Sequence, residues 1–375
     1  MKIAITGDAV TMPTSYGKTG FKLLSALKKR GHEVSNLAIQ HVGAPIEYNG
    51  IQIYQATDEA TFAKALTLTK PDVVIELRDA WVHTRYYQKP YHLWPACREA
   101  GVIFTQYSPI QSAPLPQEYI NTVWEESDYF ITMTRWGMEK LIEQGAPAER
   151  LAYLYHGIDP SVFHFLEQRP PRSMFGLPES GRMVTFVGLN QDFRKLQPLL
   201  MYAFREYLKG DPDAFLYLHT DWGGAYDIAQ HIRALGLAGK RKVFLRPATG
   251  MGSSMWGFTD EQMNLLYGMS DIYCSLTASE GFNMPALEAI STGLPTVLTH
   301  TPVHEELFKE LGAYLVPSRK IYPNAWGMEW FSDPDMAAEM MHRAAERGRR
   351  KIDIPPYFLW DNIAVRLEEM LKSWL

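Results

Sequence analysis

The sequence predicts an α/β protein built as two doubly wound halves, each a parallel sheet flanked by helices. Three observations predict it. Short apolar, β-branched runs alternate along the chain with helix-like stretches, the order expected of parallel strands joined by crossover helices. The alternation runs twice, interrupted by "HFLEQRPPRSMFGLPESG", which carries Pro170-Pro171 and no periodicity and places a linker near residues 163–180. Several strands also run into glycine-bearing junctions just before a helix, at Gly17, Gly188 and Gly281, where a backbone can approach a ligand closely. With 375 residues and 46% hydrophobic content, the chain can bury two cores.

In chain order, the first half opens with a strand at 2–6, a loop of Gly, Pro, Thr and Ser, and a helix at about 18–30 with Phe21, Leu24 and Leu27 on one face, ended by Gly31. Strands follow at 33–39, 73–77, 102–106, 129–133 and 152–155, with helices at 59–69 and 136–144. The second half places strands at 183–187, 214–219, 243–246, 272–275 and 296–299. A short helix from Pro285 closes at Gly293, with Asn283 as its expected N-cap. The last stretch, 357–375, reads as an amphipathic helix with Trp360, Ile363, Leu367, Met370 and Leu371 on one side. The expected domains are 1–165, joined by 357–375, and 166–356.

Composition narrows the function. Cys97 and Cys274 are the two cysteines, both in apolar contexts, so neither a disulfide framework nor a Cys-rich metal site is expected. The opening "MKIAITGDAV" lacks the apolar core of a signal peptide, and no run is long enough to span a bilayer, so a cytoplasmic protein is expected. A net charge of −5 gives no general attraction to nucleic acid. Basic clusters at Lys28-Lys29-Arg30 and 347–351 fall at helix ends, where they complement the dipole, and leave peripheral membrane contact as a second reading.

The chemistry concentrates at Glu280-Gly-Phe-Asn-Met-Pro-Ala-Leu-Glu288, a strand-to-helix junction. The N–H groups of Gly281, Phe282 and Asn283, with Met284 following, lie at the positive end of the helix dipole and suit a diphosphate. Glu288 stands five residues past Asn283, roughly 7 Å up the helix, so the two carboxylates can serve opposite ends of an extended ligand as hydroxyl acceptors. Taken alone, the pair also fits a solvated helix face. Arg194 and Lys195 open another helix after Gly188 and could clamp a diphosphate, or stand solvated. His219, Thr220 and Pro247 sit at carboxyl ends of strands, where an open sheet binds its ligand. Asp79, Trp81, His83 and Tyr107 follow two strands of the first half and are candidates for a ligand site on that half, with loop packing as the alternative. The Asp-Pro-Asp triplets 211–213 and 333–335 occupy turn positions, where those residues serve the backbone, so no metal is expected there.

The stretch "LYGMSDIYCSLTASEGFNMPALEAISTGLPTVLTHTPVHEEL", residues 266–307, resembles the signature region of retaining GT-B glycosyltransferases of family 4. "MVTFVGLNQDFRKLQPLL" resembles the diphosphate-clamping segment of that family, and the loop around Gly17 its N-terminal glycine loop. The resemblance implies a GT-B fold of two Rossmann-like domains facing a cleft that closes on the donor. It also implies a retaining, metal-independent hexose transfer from a nucleotide sugar to a glycan, lipid or small-molecule acceptor, with no cofactor. It assigns Glu280 to the transferred sugar, Glu288 to the ribose, Arg194 and Lys195 to the leaving diphosphate, and Gly17 to the sugar side. The chain departs from the family where Asn283 replaces a usual glycine, Leu189 a frequent arginine and Gln106 a frequent histidine. An epimerase or a catalytically silent sugar-binding protein on the same architecture is the competing reading.

Overall fold

A computed structural model describes residues 1–83, 92–238, 242–246, 258–324 and 327–375. The chain divides into two compact units. Unit 1 comprises Met1–Gly157, Asn324–Gly327 and Pro355–Leu375; unit 2 comprises Ile158–Pro323 and Met328–Ile354.

Unit 1 runs β1 (Lys2–Gly7), α1 (Ser15–Lys29), β2 (Glu33–Ala38), β3 (Ile46–Tyr48), β4 (Ile51–Gln55), α2 (Glu59–Thr69), β5 (Val73–Leu77), α3 (Trp94–Glu99), β6 (Ile103–Ser108), α4 (Gln117–Glu125), β7 (Tyr129–Thr132), α5 (Arg135–Glu143) and β8 (Leu151–Tyr153). Its sheet has the order β3-β4-β2-β1-β5-β6-β7-β8. All neighbours pair in parallel except β3 with β4. The central strand β5, Val-Val-Ile-Glu-Leu, is buried at every position, as a parallel strand covered on both faces must be. Helix starts are set by local chemistry: Thr14 caps α1, and Asp58 with Thr61 forms a capping box on α2. Sequence reading did not anticipate β3 and β4. Asn49-Gly50, both at positive φ, joins them in a tight turn of the kind that twists correctly into a hairpin.

Unit 2 runs β9 (Met183–Val187), α6 (Gln197–Tyr207), β10 (Phe215–His219), α7 (Ile228–Ala234), β11 (Val243–Arg246), α8 (Asp260–Met269), β12 (Ile272–Ser275), α9 (Met284–Ser291), β13 (Thr296–Thr299), α10 (Pro302–Phe308), β14 (Tyr314–Val316), β15 (Ser318–Asn324), β16 (Gly327–Ser332) and α11 (Pro334–Arg347). The main sheet is β11-β10-β9-β12-β13-β14, parallel throughout. Strand order therefore reverses between β9 and β12, and ligands of doubly wound sheets bind outside the carboxyl ends of such a pair. The core packs α6 and α11 against these strands through Phe186, Phe204, Tyr207, Leu216, Ile272 and Met341.

The stretch expected as a linker, 163–180, is instead part of unit 2, and the division falls at Gly157–Ile158. Arg172 accounts for this. It is buried, with Nη2 on Asp271 Oδ2 at 2.5 Å, Nη1 on Gly181 O at 2.6 Å and Nε on Met269 O, so the segment is pinned to the amino end of β12. The final helix, α12 (Trp360–Trp374), belongs to unit 1 and packs on α1. It buries Ile363, Ala364, Leu367 and Leu371, stacks Trp374 on Tyr129 at 4.2 Å, and pairs Glu368 with Arg30.

Candidate functional site

The β9–α6 and β12–α9 connections leave the sheet at its switch point and carry the strongest candidates. After β9, Asp192 accepts from Arg194 N–H and opens a short 3-10 turn that presents Arg194 and Lys195. Leu196 follows at φ +46°, a left-handed conformation costly for a branched side chain. After β12, Ala278 N–H donates to Arg194 O at 2.7 Å, so the two connections are stitched backbone to backbone. The side chains then converge. Arg194 Nη1 donates to Glu280 Oε2 at 2.7 Å and to Ser279 O at 2.8 Å, its Nε to Asp192 Oδ2 at 2.7 Å, and Lys195 Nζ reaches Glu280 Oε1 at 2.6 Å.

Glu280 is 5% exposed. Burial alone would raise its pKa, but the Arg194 guanidinium and Lys195 ammonium more than offset that and push it down to about 2. The same burial, with Arg194 beside it, lowers the Lys195 pKa. The result is an ionised carboxylate held between two cations at the mouth of the switch point.

Asn283 is the residue before α9 but does not cap it. Its φ is +76°, and its Nδ2 lies 3.0 Å from His304 Nε2. Since His304 Nδ1 lies 2.8 Å from Thr299 O, that nitrogen carries the proton and Nε2 accepts from the amide. His304 is fully buried, and burial lowers its pKa, so the ring stays neutral in this role. Asparagine suits this left-handed backbone better than most other side chains. Gly281 and Phe282 are buried, the Phe282 ring packing edge-on to Phe308, and Met284 is half-buried. Glu288, also half-buried, accepts from Tyr267 O–H at 2.8 Å.

His219 and Thr220 are buried at the carboxyl end of β10. The His219 ring lies 5.0 Å from Phe258, and Thr220 Oγ1 is 3.5 Å from Gln197 Nε2. Pro247 lies outside the described residues. Asn190, which sequence reading missed, is wholly buried and joins this side to the β9 connection: its Nδ2 donates to Asp221 O and Tyr226 O, and its Oδ1 accepts from Tyr226 N–H. Phe193 and Trp222 are large exposed aromatics on these same loops, 67% and 49% accessible.

In unit 1, Gly17 is buried on the first turn of α1. Its N–H donates to Thr14 Oγ1, and a Cβ there would fall 2.4 Å from Met12 O and 2.8 Å from Ala9 O, so the close packing of its own loop accounts for the glycine. Asp79 Oδ2 accepts from Tyr16 O–H at 3.0 Å, and Trp81 is 38% exposed. Tyr107 is buried completely, its hydroxyl donating to Leu154 O at 2.9 Å beside His156, so its one polar group serves the core. His83 is buried against Glu76. The structure thus gathers Arg194, Lys195 and Glu280 into one cluster and leaves Tyr107 and His83 facing inward.

Comparison with known proteins accords with this geometry. Residues 252–351 match the family described as glycosyl transferases group 1. The D-inositol 3-phosphate glycosyltransferase of Mycolicibacterium smegmatis is 26% identical over 181 residues, a match spanning 47% of this chain and 38% of that protein. Among solved structures, HepE of Anabaena in complex with UDP and glucose superposes with a TM-score of 0.68 at 14% identity over 100% of both chains. Sucrose-phosphate synthase of Thermosynechococcus elongatus gives 0.69 at 14% identity, over 100% of this chain and 99% of that one. A trehalose-6-phosphate synthase studied for glycosyltransfer with retention gives 0.66 at 12% identity, over 100% and 99%. The fold is GT-B.

Proposed function

We propose that this protein moves a hexose from a nucleoside-diphosphate sugar to an acceptor hydroxyl, with retention at the anomeric carbon, without a metal ion in the step and in the cytoplasm. The observation that carries the proposal is the Arg194–Glu280–Lys195 cluster at the β9/β12 switch point, beside the start of α9. Two cations there suit a diphosphate. Support comes also from the glycosyltransferase match over 252–351, and from a structural neighbour that binds UDP and glucose and another that transfers with retention.

In the proposed step, the acceptor oxygen bonds to the anomeric carbon on the face the diphosphate leaves. The bond from that carbon to the phosphate oxygen breaks with its electron pair, and the acceptor proton passes to the departing diphosphate. Arg194, Lys195 and the 281–283 amides stabilise the charge that builds on the leaving group. Glu280, ionised and fixed by both cations, orients the sugar hydroxyls rather than attacking carbon. Glu288, held by Tyr267, takes the ribose hydroxyls. His219 and Thr220 face the donor, and Asp79 and Trp81 serve the acceptor.

A panel of nucleotide sugars, scored by nucleoside-diphosphate release and by the anomeric configuration of the product, tests this. Transfer predicts slow donor hydrolysis without acceptor and a retained anomer with it. An isomerised donor would instead identify an epimerase, and an untouched panel a silent binding protein. Turnover that stops in EDTA and returns with Mg²⁺ or Mn²⁺ would overturn the metal-free step.

A further inference from the structure

A second cluster, wholly within unit 1, has the donor set of a metal centre. His83 ends a 3-10 turn (Ala80–His83) after β5, and its side chain is 1% exposed. Its Nε2 lies 2.6 Å from Glu76 Oε2, so Nε2–H donates to that carboxylate and the ring lone pair falls on Nδ1. Nδ1 is buried and has no hydrogen-bond partner. A ring nitrogen of His83, one of His92 and a carboxylate oxygen of Glu126 lie within 4.8 Å of one another. His92 Nδ1 is 3.1 Å from Glu126 Oε2, close to the ligand-to-ligand spacing around a tetrahedral ion with bonds of about 2.0–2.1 Å. Both partners are held by their backbones: His92 N–H donates to Glu59 Oε1, and Glu126 O accepts from Gln106 Nε2.

We propose that His83, His92 and Glu126 bind one divalent transition-metal ion, with Glu76 orienting the His83 ring and solvent completing the coordination. Two imidazoles and a carboxylate, with no thiolate, suit zinc above the alkaline-earth ions. A metal-binding histidine characteristically donates its other ring N–H to a carboxylate, which is the Glu76 contact. The Arg78 guanidinium stands 3.9 Å from the second Glu76 oxygen. The ion ties the end of the 3-10 turn and the approach to α3 to the end of α4. It is a clip in unit 1, separate from the sugar-transfer step.

The test uses the untagged full chain, stripped with chelator and titrated with Zn²⁺ by calorimetry and with Co²⁺ by visible absorption. One site per chain is expected, with a low-coordinate Co²⁺ spectrum and a rise in Tm on adding Zn²⁺. His92→Ala and Glu126→Gln, the two ligands nearer the surface, should each weaken binding at least tenfold while the metal-free protein keeps its Tm. Glu76→Gln should weaken it roughly 10- to 100-fold without changing the stoichiometry. Absence of saturable binding, or binding that survives the His92→Ala/Glu126→Gln double variant, would overturn the site. Because Tm and Co²⁺ absorption are read without a sugar donor, failure here leaves the proposed transferase activity standing.

Discussion

At the residue scale, the members of the cluster at the switch point are accountable through turnover or through stability. Arg194→Ala and Lys195→Ala should each lower turnover at least about tenfold, because each removes roughly 1.4 kcal/mol or more of leaving-group stabilisation. Turnover at saturating donor measures this, and an unchanged rate for both would remove them from the step. Glu280 has a stability signature as well. Its folded pKa of about 2 lies below its ordinary 4.5, so as pH falls the unfolded chain takes up the proton first. The contribution, about 3 kcal/mol at most, is complete above pH 4.5 and is lost as pH falls through about 2. Urea unfolding of the wild type and Glu280→Gln at about pH 6 and about pH 3 should show the gap between them narrowing in acid; an equal gap at both would refute the ionic origin. Glu288→Ala should cost about 1.5–3 kcal/mol of donor affinity, as for a lost charged acceptor, with the fold retained, whereas Tyr267→Phe should raise KM with little change in kcat. Calorimetric donor affinity that ignores Glu288 would take it out of the site.

Elements show why some of this was legible and some was not. Strands β9, β11, β12 and β13 match their expected spans, because buried runs such as Met-Val-Thr-Phe-Val declare themselves by composition alone. The edge strand β3 is exposed at every position and β14 is three residues long, so neither carries such a run. Both arms of the site could be read from motifs. Asn190 and His304 could not, since their work is to join loops distant in sequence, Asn190 to Tyr226 and His304 to Asn283. Gly17 was legible as a necessary glycine but for a different reason than expected, namely the Met12 and Ala9 carbonyls. The amphipathic reading of the last helix locates its buried face correctly at Ile363, Leu367 and Leu371. Leu367→Ala on α12 should therefore cost about 2–5 kcal/mol, the usual result of emptying a packed site. Chemical denaturation checks this, and a loss under about 1 kcal/mol would mean that α12 rests on unit 1 without helping to hold it.

At the scale of the whole molecule, two sheets with separate cores predict a regional response to ligand. Nucleoside diphosphate should slow amide exchange in the 188–196 and 276–284 connections of unit 2 and leave β1 and α1 of unit 1 unchanged. Protection confined to unit 1 would defeat the assignment of the donor to unit 2. Among the described residues no helix is long and apolar enough to cross a membrane. The unit 1 sheet ends at β3, whose Ile46 and Tyr48 are exposed on either side of Glu47. An unpaired strand rim is a template for another chain, and the hazard grows with its length and apolarity. Here the rim offers three residues with a carboxylate in the middle, a short and charged edge that gives a second chain little to pair with.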